Sequence, residues 1–271
     1  MKLKLFVSVS GGETSGMMAK RLKDEYQDVY EMRFGFCNTG LERRETLTLV
    51  DNMDREWGMN TVWLEAITHP GERLGCTHKI VGFASAARNG EPFEEMIKKY
   101  GIPNKAYPHC TRELKLNPIR SYLASIGWQD CFRAVGIRAD EPKRVRKDAD
   151  SERIIYPLVT MFPSDKADVK TWWEFQLFQL GLKDYEGNCA ACWKKSTTKL
   201  VRIAQENPKA FDFFARMEEM HGTYADGKRR TFFRENRSAN DIVTLAQLLN
   251  PPPYTERPDE NSGCSESCEA F

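Results

Sequence analysis

Hydrophobic and polar positions fall along this chain in blocks whose period changes from element to element. Residues 3–10 (LKLFVSVS) read as a strand, 17–26 have helical spacing, and 29–37 read as a second strand. A helix is expected over 41–57, where Leu47, Val50, Met53 and Trp57 share one stripe, and a third strand over 61–67 (TVWLEAI). Later strands are expected at 130–137 and 153–159, separated by the loop 138–152, which is charged throughout. Strand and helix alternate, so this part predicts an α/β fold: a parallel twisted sheet with helices on both faces, Rossmann-like in layout.

From residue 165 the pattern turns helical. The stretch 166–181 carries Val169, Trp172, Trp173, Phe175, Gln176 and Leu180 and ends on a glycine suited to a C-cap. Further helices are expected at 197–206, at 209–221 behind Pro208, and at 240–250, which three prolines close. The division that follows is an α/β domain over 1–165, a helical region over 166–250 packed on it, and a polar tail over 251–271 that contains two cysteines. There is no internal repeat. Trp172 and Trp173 are expected to pack in the core rather than stack on a base.

Composition narrows the functional class. The 271 residues are 41% hydrophobic and 29% charged, as in an ordinary soluble domain. Forty Lys and Arg against 39 Asp and Glu leave a net charge of +1, which gives no bulk attraction to nucleic acid. A local basic face stays open. No apolar run approaches the roughly 18 residues of a membrane span, and the first residues lack the features of a secretory signal, so the expected location is the cytoplasm. In that reducing setting eight cysteines point to metal binding or thiol chemistry rather than to disulfides. Cys37, Cys76 and Cys131 lie singly in apolar contexts and are expected to be buried. Cys110, Cys189, Cys192, Cys264 and Cys268 lie among turn residues, prolines and charges, where burial alone does not account for them.

Residues 8–16 (SVSGGETSG) join the first strand to the first helix. Small residues there let the backbone approach a phosphate, amides and hydroxyls supply donors, and the helix N-terminus adds partial positive charge. The segment matches neither G-x-x-x-x-G-K-[ST] nor G-x-G-x-x-G. A tight turn with Ser or Thr as helix N-cap is the purely structural reading of the same residues.

The segment resembles the PP-loop (Ser-Gly-Gly-x-Asp/Thr-Ser) of the adenine-nucleotide α-hydrolase-like superfamily. Three further segments are similar to those of phosphoadenylyl-sulfate (PAPS) reductases: Phe36-Cys37-Asn38-Thr39-Gly40 with Glu45-Thr46, the segment 110–119 (CTRELKLNPI), and 136–141 (GIRADE). Their order and spacing agree over residues 8–195. The segments Cys110-Thr111-Arg112-Glu113-Leu114-Lys115, Gly187-Asn188-Cys189 with Cys192, and 264–269 (CSESCE) also resemble the PAPS-reductase-like proteins of phages and mobile elements.

The resemblance implies a PP-loop (HUP-type) fold that binds ATP or PAPS. Ser10, Gly11, Gly12, Thr14 and Ser15 would hold a phosphate or sulfate; Asn38, Thr39 and Gly40 would border the adenosine; Gly136 and Arg138 would complete the site. It further implies a [4Fe-4S] cluster on Cys110, Cys189 and Cys192, as the C-x-x-C of Cys189 and Cys192 allows. Relatives with such a cluster have a Cys-Cys pair where this chain has His109-Cys110, so the fourth ligand is open between the tail (Cys268 or Cys264), His109 and a free iron position. The tail is preferred, through Cys268. Structural Zn²⁺ and a metal-free redox dithiol are the alternatives at the same thiols.

The reductases' C-terminal Glu-Cys-Gly-Leu-His segment is missing; Cys264 or Cys268 would serve either as the nucleophile or as a resolving dithiol, with Lys115 and Arg138 as catalytic cations. Arg112, Arg120, Lys143, Arg144, Arg146, Lys194, Lys195 and Lys199 would join those two around one anion-binding cleft. Asp140 and Glu141 either bind Mg²⁺ on the nucleotide or pair with Arg138 or Lys143. Two reactions follow: reduction of an adenylated sulfate, with a thioredoxin-like electron donor, or ATP-driven sulfur transfer from a sulfur donor to a nucleobase or nucleic acid. A non-catalytic nucleotide binder or redox sensor in phage defence or counter-defence is the rival from another class. No membrane partner is expected, and nothing indicates the oligomeric state.

Overall fold

The computed structural model of the protein describes residues 2–224 and 227–249. Six strands form one mixed sheet: β1 (Leu3–Ser8), β2 (Tyr30–Asn38), β3 (Val62–Ile67), β4 (Thr77–Val81), β5 (Phe132–Ala134) and β6 (Ile154–Ile155), in the order β4-β3-β2-β1-β5-β6. All neighbours run parallel except β4, which pairs antiparallel with β3. The chain therefore builds outward from β1 in both directions. Such a reversal opens a crevice at the carboxyl end of the central strand, which is where open α/β sheets bind ligands.

Alternation along β1 sorts the layers. Leu5 and Val7 enter one core with Met18 and Leu22 of α1 (Glu13–Tyr26), Leu47 and Val50 of α2 (Arg44–Trp57) and two residues further on, Leu158 of α5 (Pro157–Thr160) and Trp173 of α6 (Lys166–Glu174). Phe6 enters the opposite one; α3 (Glu91–Tyr100) lies elsewhere, and Ile119, Tyr122 and Leu123 of α4 (Asn117–Ser125) cover that face. Helices thus lie on both faces of the sheet, as an α/β fold requires. A third core gathers Met96 and Ile97 of α3 with α7 (Thr197–Glu206), α8 (Asp212–His221) and α9 (Ala239–Leu248), through Leu200, Phe214, Met217 and Ile242. That helical region takes α3 from the first 165 residues as well as the later helices.

Several elements differ from their expected bounds. The strand expected over 153–159 keeps only Ile154–Ile155, because Pro157 has no amide for a ladder and its fixed φ starts the α5 turn instead. The helix expected to reach residue 181 stops at Glu174; Phe175 and Leu177, 82% and 90% exposed, lie off the buried stripe. The strand expected over 130–137 is three residues long. In contrast α1 starts earlier, at Glu13. Trp173 packs as expected: it is 2% exposed, and its Nε1 donates to the Glu13 carbonyl at 2.8 Å.

Candidate functional site

The glycine loop lies at the carboxyl end of β1. Gly11 has φ +80°, a conformation costly for any residue with a side chain, and an ideal Cβ there would lie 2.4 Å from Thr46 Cγ2 on α2. Ser15 closes the loop on itself. Its Oγ accepts from the Ser10 amide at 3.0 Å, lies 2.8 Å from Ser10 Oγ and donates to the Gly12 carbonyl at 3.0 Å. The N-cap of α1 is Gly12, with no side-chain cap, so neither Ser nor Thr plays that part. Helical amides at such an end have no intrahelical acceptor and, with the helix dipole, suit an anion. Thr14 is buried beside them.

One motif residue from another strand closes on this loop. Gly136, after β5, lies so near that an ideal Cβ would be 3.0 Å from Ser15 Cα. Asn38, at the end of β2, donates to Glu65 Oε1 at 2.7 Å and to the Ala87 carbonyl at 2.9 Å, while its Oδ1 accepts from Gly40 at 3.2 Å. Thr39 turns toward Glu42, whose carboxylate accepts from the Thr39 amide at 2.8 Å and hydroxyl at 2.9 Å. Thr39-x-x-Glu42 has the spacing of a capping box, the sequence signal that marks Glu42.

The thiols of Cys110, Cys189 and Cys192 line one pocket, together with Thr39, Glu42, Lys115 and Lys195. Cys110 enters it just before a π-helical turn, Arg112–Leu116, whose inner face buries Glu113, Leu114 and Lys115. Turns of this kind frequently occur at functional sites. The Cys189 segment is stitched to the β2–α2 connection: Arg43 N donates to the Asn188 carbonyl at 2.8 Å, and Ala190 N to the Leu41 carbonyl at 3.2 Å. Lys195 Nζ donates to the Cys189 carbonyl at 2.8 Å. Asn188 Nδ2 donates to the Ser10 carbonyl at 2.7 Å, which joins the thiol pocket directly to the glycine loop.

Burial pushes the Cys37 thiol up to about 12 against the opposing charge of Lys115, and burial also raises Cys76 and Cys131. A thiol reacts as thiolate, so at pH 8 roughly one Cys37 in ten thousand is reactive. Iodoacetamide at that pH should label the half-buried Cys110 and Cys189 of the metal-free native protein and spare Cys37, Cys76 and Cys131. Peptide mass spectrometry reads the pattern; Cys37 labelled as fast as Cys110 would contradict it. Burial also raises the Glu42 carboxyl, against Lys115 and the Thr39 hydrogen bonds.

Other candidate residues are placed differently. Arg138 is buried, but its Nε donates to Asp140 Oδ1 at 2.9 Å and its Nη2 lies 3.7 Å from Glu141 Oε1. Asp140 and Glu141 thus pair with arginine, and Arg146 pairs with Asp148 at 2.7 Å and Arg112 with Glu113 at 2.7 Å. Cations expected around the cleft are therefore partly spent in local pairs. Only Lys115 and Lys195 among them line the thiol pocket. His109 turns its Nε2 to the Gly101 carbonyl at 3.0 Å and does not line that pocket. Cys264 and Cys268 lie outside the described residues.

Donor chemistry decides what the pocket can hold. Among the described residues no three His, Cys, Asp or Glu side chains are grouped to hold a metal ion. A single Zn²⁺, with bonds of about 2.3 Å, draws its thiolates close together, whereas a cluster presents several irons to thiolates that stand apart. Three cysteines in one pocket lining, with two buried lysines to offset negative charge, are a donor set that suits a cluster.

No family model matches the chain. It is 29% identical over 279 residues to an uncharacterized nin region protein of Escherichia phage lambda, a match covering 98% of this chain and 94% of the phage protein. Two uncharacterized proteins of Methanocaldococcus jannaschii are 29% identical over 142 residues and 23% identical over 257 residues. These matches cover 52% and 89% of this chain, and 24% and 54% of the respective relatives. Among solved structures, a PAPS reductase from Candida auris in complex with phosphate is similar at a TM-score of 0.37 and 16% identity, over 63% of this chain and 71% of that one. No helix of the described residues is long and apolar enough to cross a membrane.

Proposed function

We propose that this chain is a PP-loop enzyme of the PAPS-reductase type, which binds an adenine nucleotide at the head of α1 and acts on it with sulfur chemistry in the adjoining thiol pocket. The observation that carries this reading is the hydrogen bond from Asn188 Nδ2 to the Ser10 carbonyl. It makes the residue beside Cys189 part of the wall of the anion-binding loop.

Each group then has a task its position supports. The Gly11 and Gly12 amides, with Thr14, receive the phosphate or sulfate, while the Ser10–Ser15 hydrogen bonds hold those amides in place. Asn38, Thr39 and Gly40 border the adenosine, and Glu42 fixes the Thr39 turn. Arg138, oriented by Asp140, supplies charge behind Gly136. Cys110, Cys189 and Cys192 would hold an iron–sulfur cluster, with Cys268 as fourth ligand, and Lys115 and Lys195 would offset its charge. When bound, the cluster supplies one-electron redox capacity.

The reaction assigned is two-electron reduction of an adenylated sulfate: the bond from sulfur to the phosphate oxygen breaks, sulfite and the adenosine phosphate leave, and a thioredoxin-like dithiol is oxidised to its disulfide with release of two protons. The full chain, purified without oxygen, should release sulfite from PAPS or adenylyl sulfate when reduced thioredoxin is added. Ser15→Ala combined with Cys192→Ala should abolish the release. Pyrophosphate release from ATP in the presence of a sulfur donor would instead identify sulfur transfer. Failure to bind ATP, PAPS and adenylyl sulfate alike would overturn the nucleotide reading itself.

A further inference from the structure

An open cleft of about 540 Å³ lies apart from the glycine loop. One wall is the loop that follows α3, the other a short hairpin in which Thr223 bridges Arg229. The two walls are joined by hydrogen bonds from the Ile102 amide to Tyr224 Oη at 3.2 Å and from Asn104 Nδ2 to the Thr231 carbonyl at 3.0 Å. Arg230 lies between two aromatic faces, its guanidinium carbon 3.7 Å from the Tyr107 ring centre and 4.4 Å from that of Tyr224. Lys228 and Arg229 stand exposed on the rim, and no carboxylate is among the described residues lining the cleft.

We propose that this cleft binds a single strand of nucleic acid. Charge comes first: Lys228, Arg229 and Arg230 line the cleft in succession, in a chain whose net charge is only +1. Aromatic geometry comes second. Arg230 packs on the Tyr107 ring, and Tyr107 remains 50% exposed beside the cations. A polyanion with stackable bases satisfies both features, with phosphates at Lys228 and Arg229 and a base on Tyr107. A duplex satisfies only the first, because its bases are already stacked. The proposal does not depend on the reaction assigned above.

The test is fluorescence anisotropy of the full chain with labelled oligo(dT) of roughly 20 nucleotides and with a duplex of equal length. Binding to the single strand should weaken linearly in log–log form as salt rises from about 50 to about 200 mM. The double variant Lys228→Gln with Arg229→Gln should lower that slope by about 1.4, from two lost phosphate contacts at about 0.7 each. Tyr107→Ala should weaken single-strand binding roughly tenfold, and Tyr107→Phe should restore it, since stacking needs the ring and not the hydroxyl. Saturating ATP should not displace the strand. Circular dichroism of each variant separates lost binding from lost fold. No binding at low salt, an unchanged slope in the double variant, or equal duplex affinity with Tyr107→Ala silent would each overturn the proposal.

Discussion

Gly136→Val should abolish nucleotide binding while the sheet stays folded. Even the Cβ of alanine would lie 3.0 Å from Ser15 Cα and 3.2 Å from Ser15 N, both backbone atoms at the head of a helix and unable to swing aside. Relief requires Ser15 to move, yet its Oγ holds the Ser10 amide, the Ser10 hydroxyl and the Gly12 carbonyl at 3.0, 2.8 and 3.0 Å. Moving it misaligns the amides that would receive a phosphate. Overpacking of this kind costs roughly 1–3 kcal/mol, which is about five- to 150-fold in affinity if it falls on the bound state. Valine, with two more methyl groups, should lie at or beyond the upper end. Gly82→Ala is the control, because nothing lies within 4 Å of an added Cβ there. Equilibrium dialysis with ATP and PAPS reads the effect; valine at 136 binding as tightly as wild type would show that the nucleotide does not sit on Ser10–Ser15.

The same loop shows what the sequence made legible. Buried parallel strands write themselves as apolar runs, so β1, β2 and β3 and the helices between them could be read with errors of a few residues. β4 could not: THKIV is a half-exposed edge strand without clean alternation. α4 begins within the segment 110–119, at Asn117, directly after the π-helical turn, so its start carries no separate cap signal. α3 carries a legible signal, with Pro92 at its start, acids in its first turn, lysines in its last, and Phe93, Met96 and Ile97 on one face. In the site, spacing could bring Cys189 and Cys192 together because they are local. The approach of Cys110, the Asn188 bond to Ser10 and the pairing of Arg138 with Asp140 depend on how distant loops meet at the sheet's switch point. Pattern along the chain does not encode those meetings; packing does.

Iron content should answer most sharply to the three pocket cysteines. Purified without oxygen, the full chain should be brown and carry roughly four irons and as much acid-labile sulfide per chain. Cys110→Ala, Cys189→Ala and Cys192→Ala should each reduce both to near zero, since a ligand lost from a shared pocket wall leaves too few thiolates to retain a cluster. Cys37→Ala and Cys131→Ala should keep full iron, because those thiols are sealed in the sheet core and their raised ionisation opposes metal binding. Lys195→Met should lower cluster stability without emptying the site: it removes a buried charge and the bond to the Cys189 carbonyl, yet leaves every thiol in place. Cys268→Ser reports on the fourth position. Loss of iron there, or retention with a changed electron-spin signal, makes the tail a ligand; full iron with an unchanged signal places the fourth ligand elsewhere. A colourless protein rich in zinc would replace the cluster with a structural ion. Metal-free protein with freely exchanging thiols would make the pocket a dithiol centre instead.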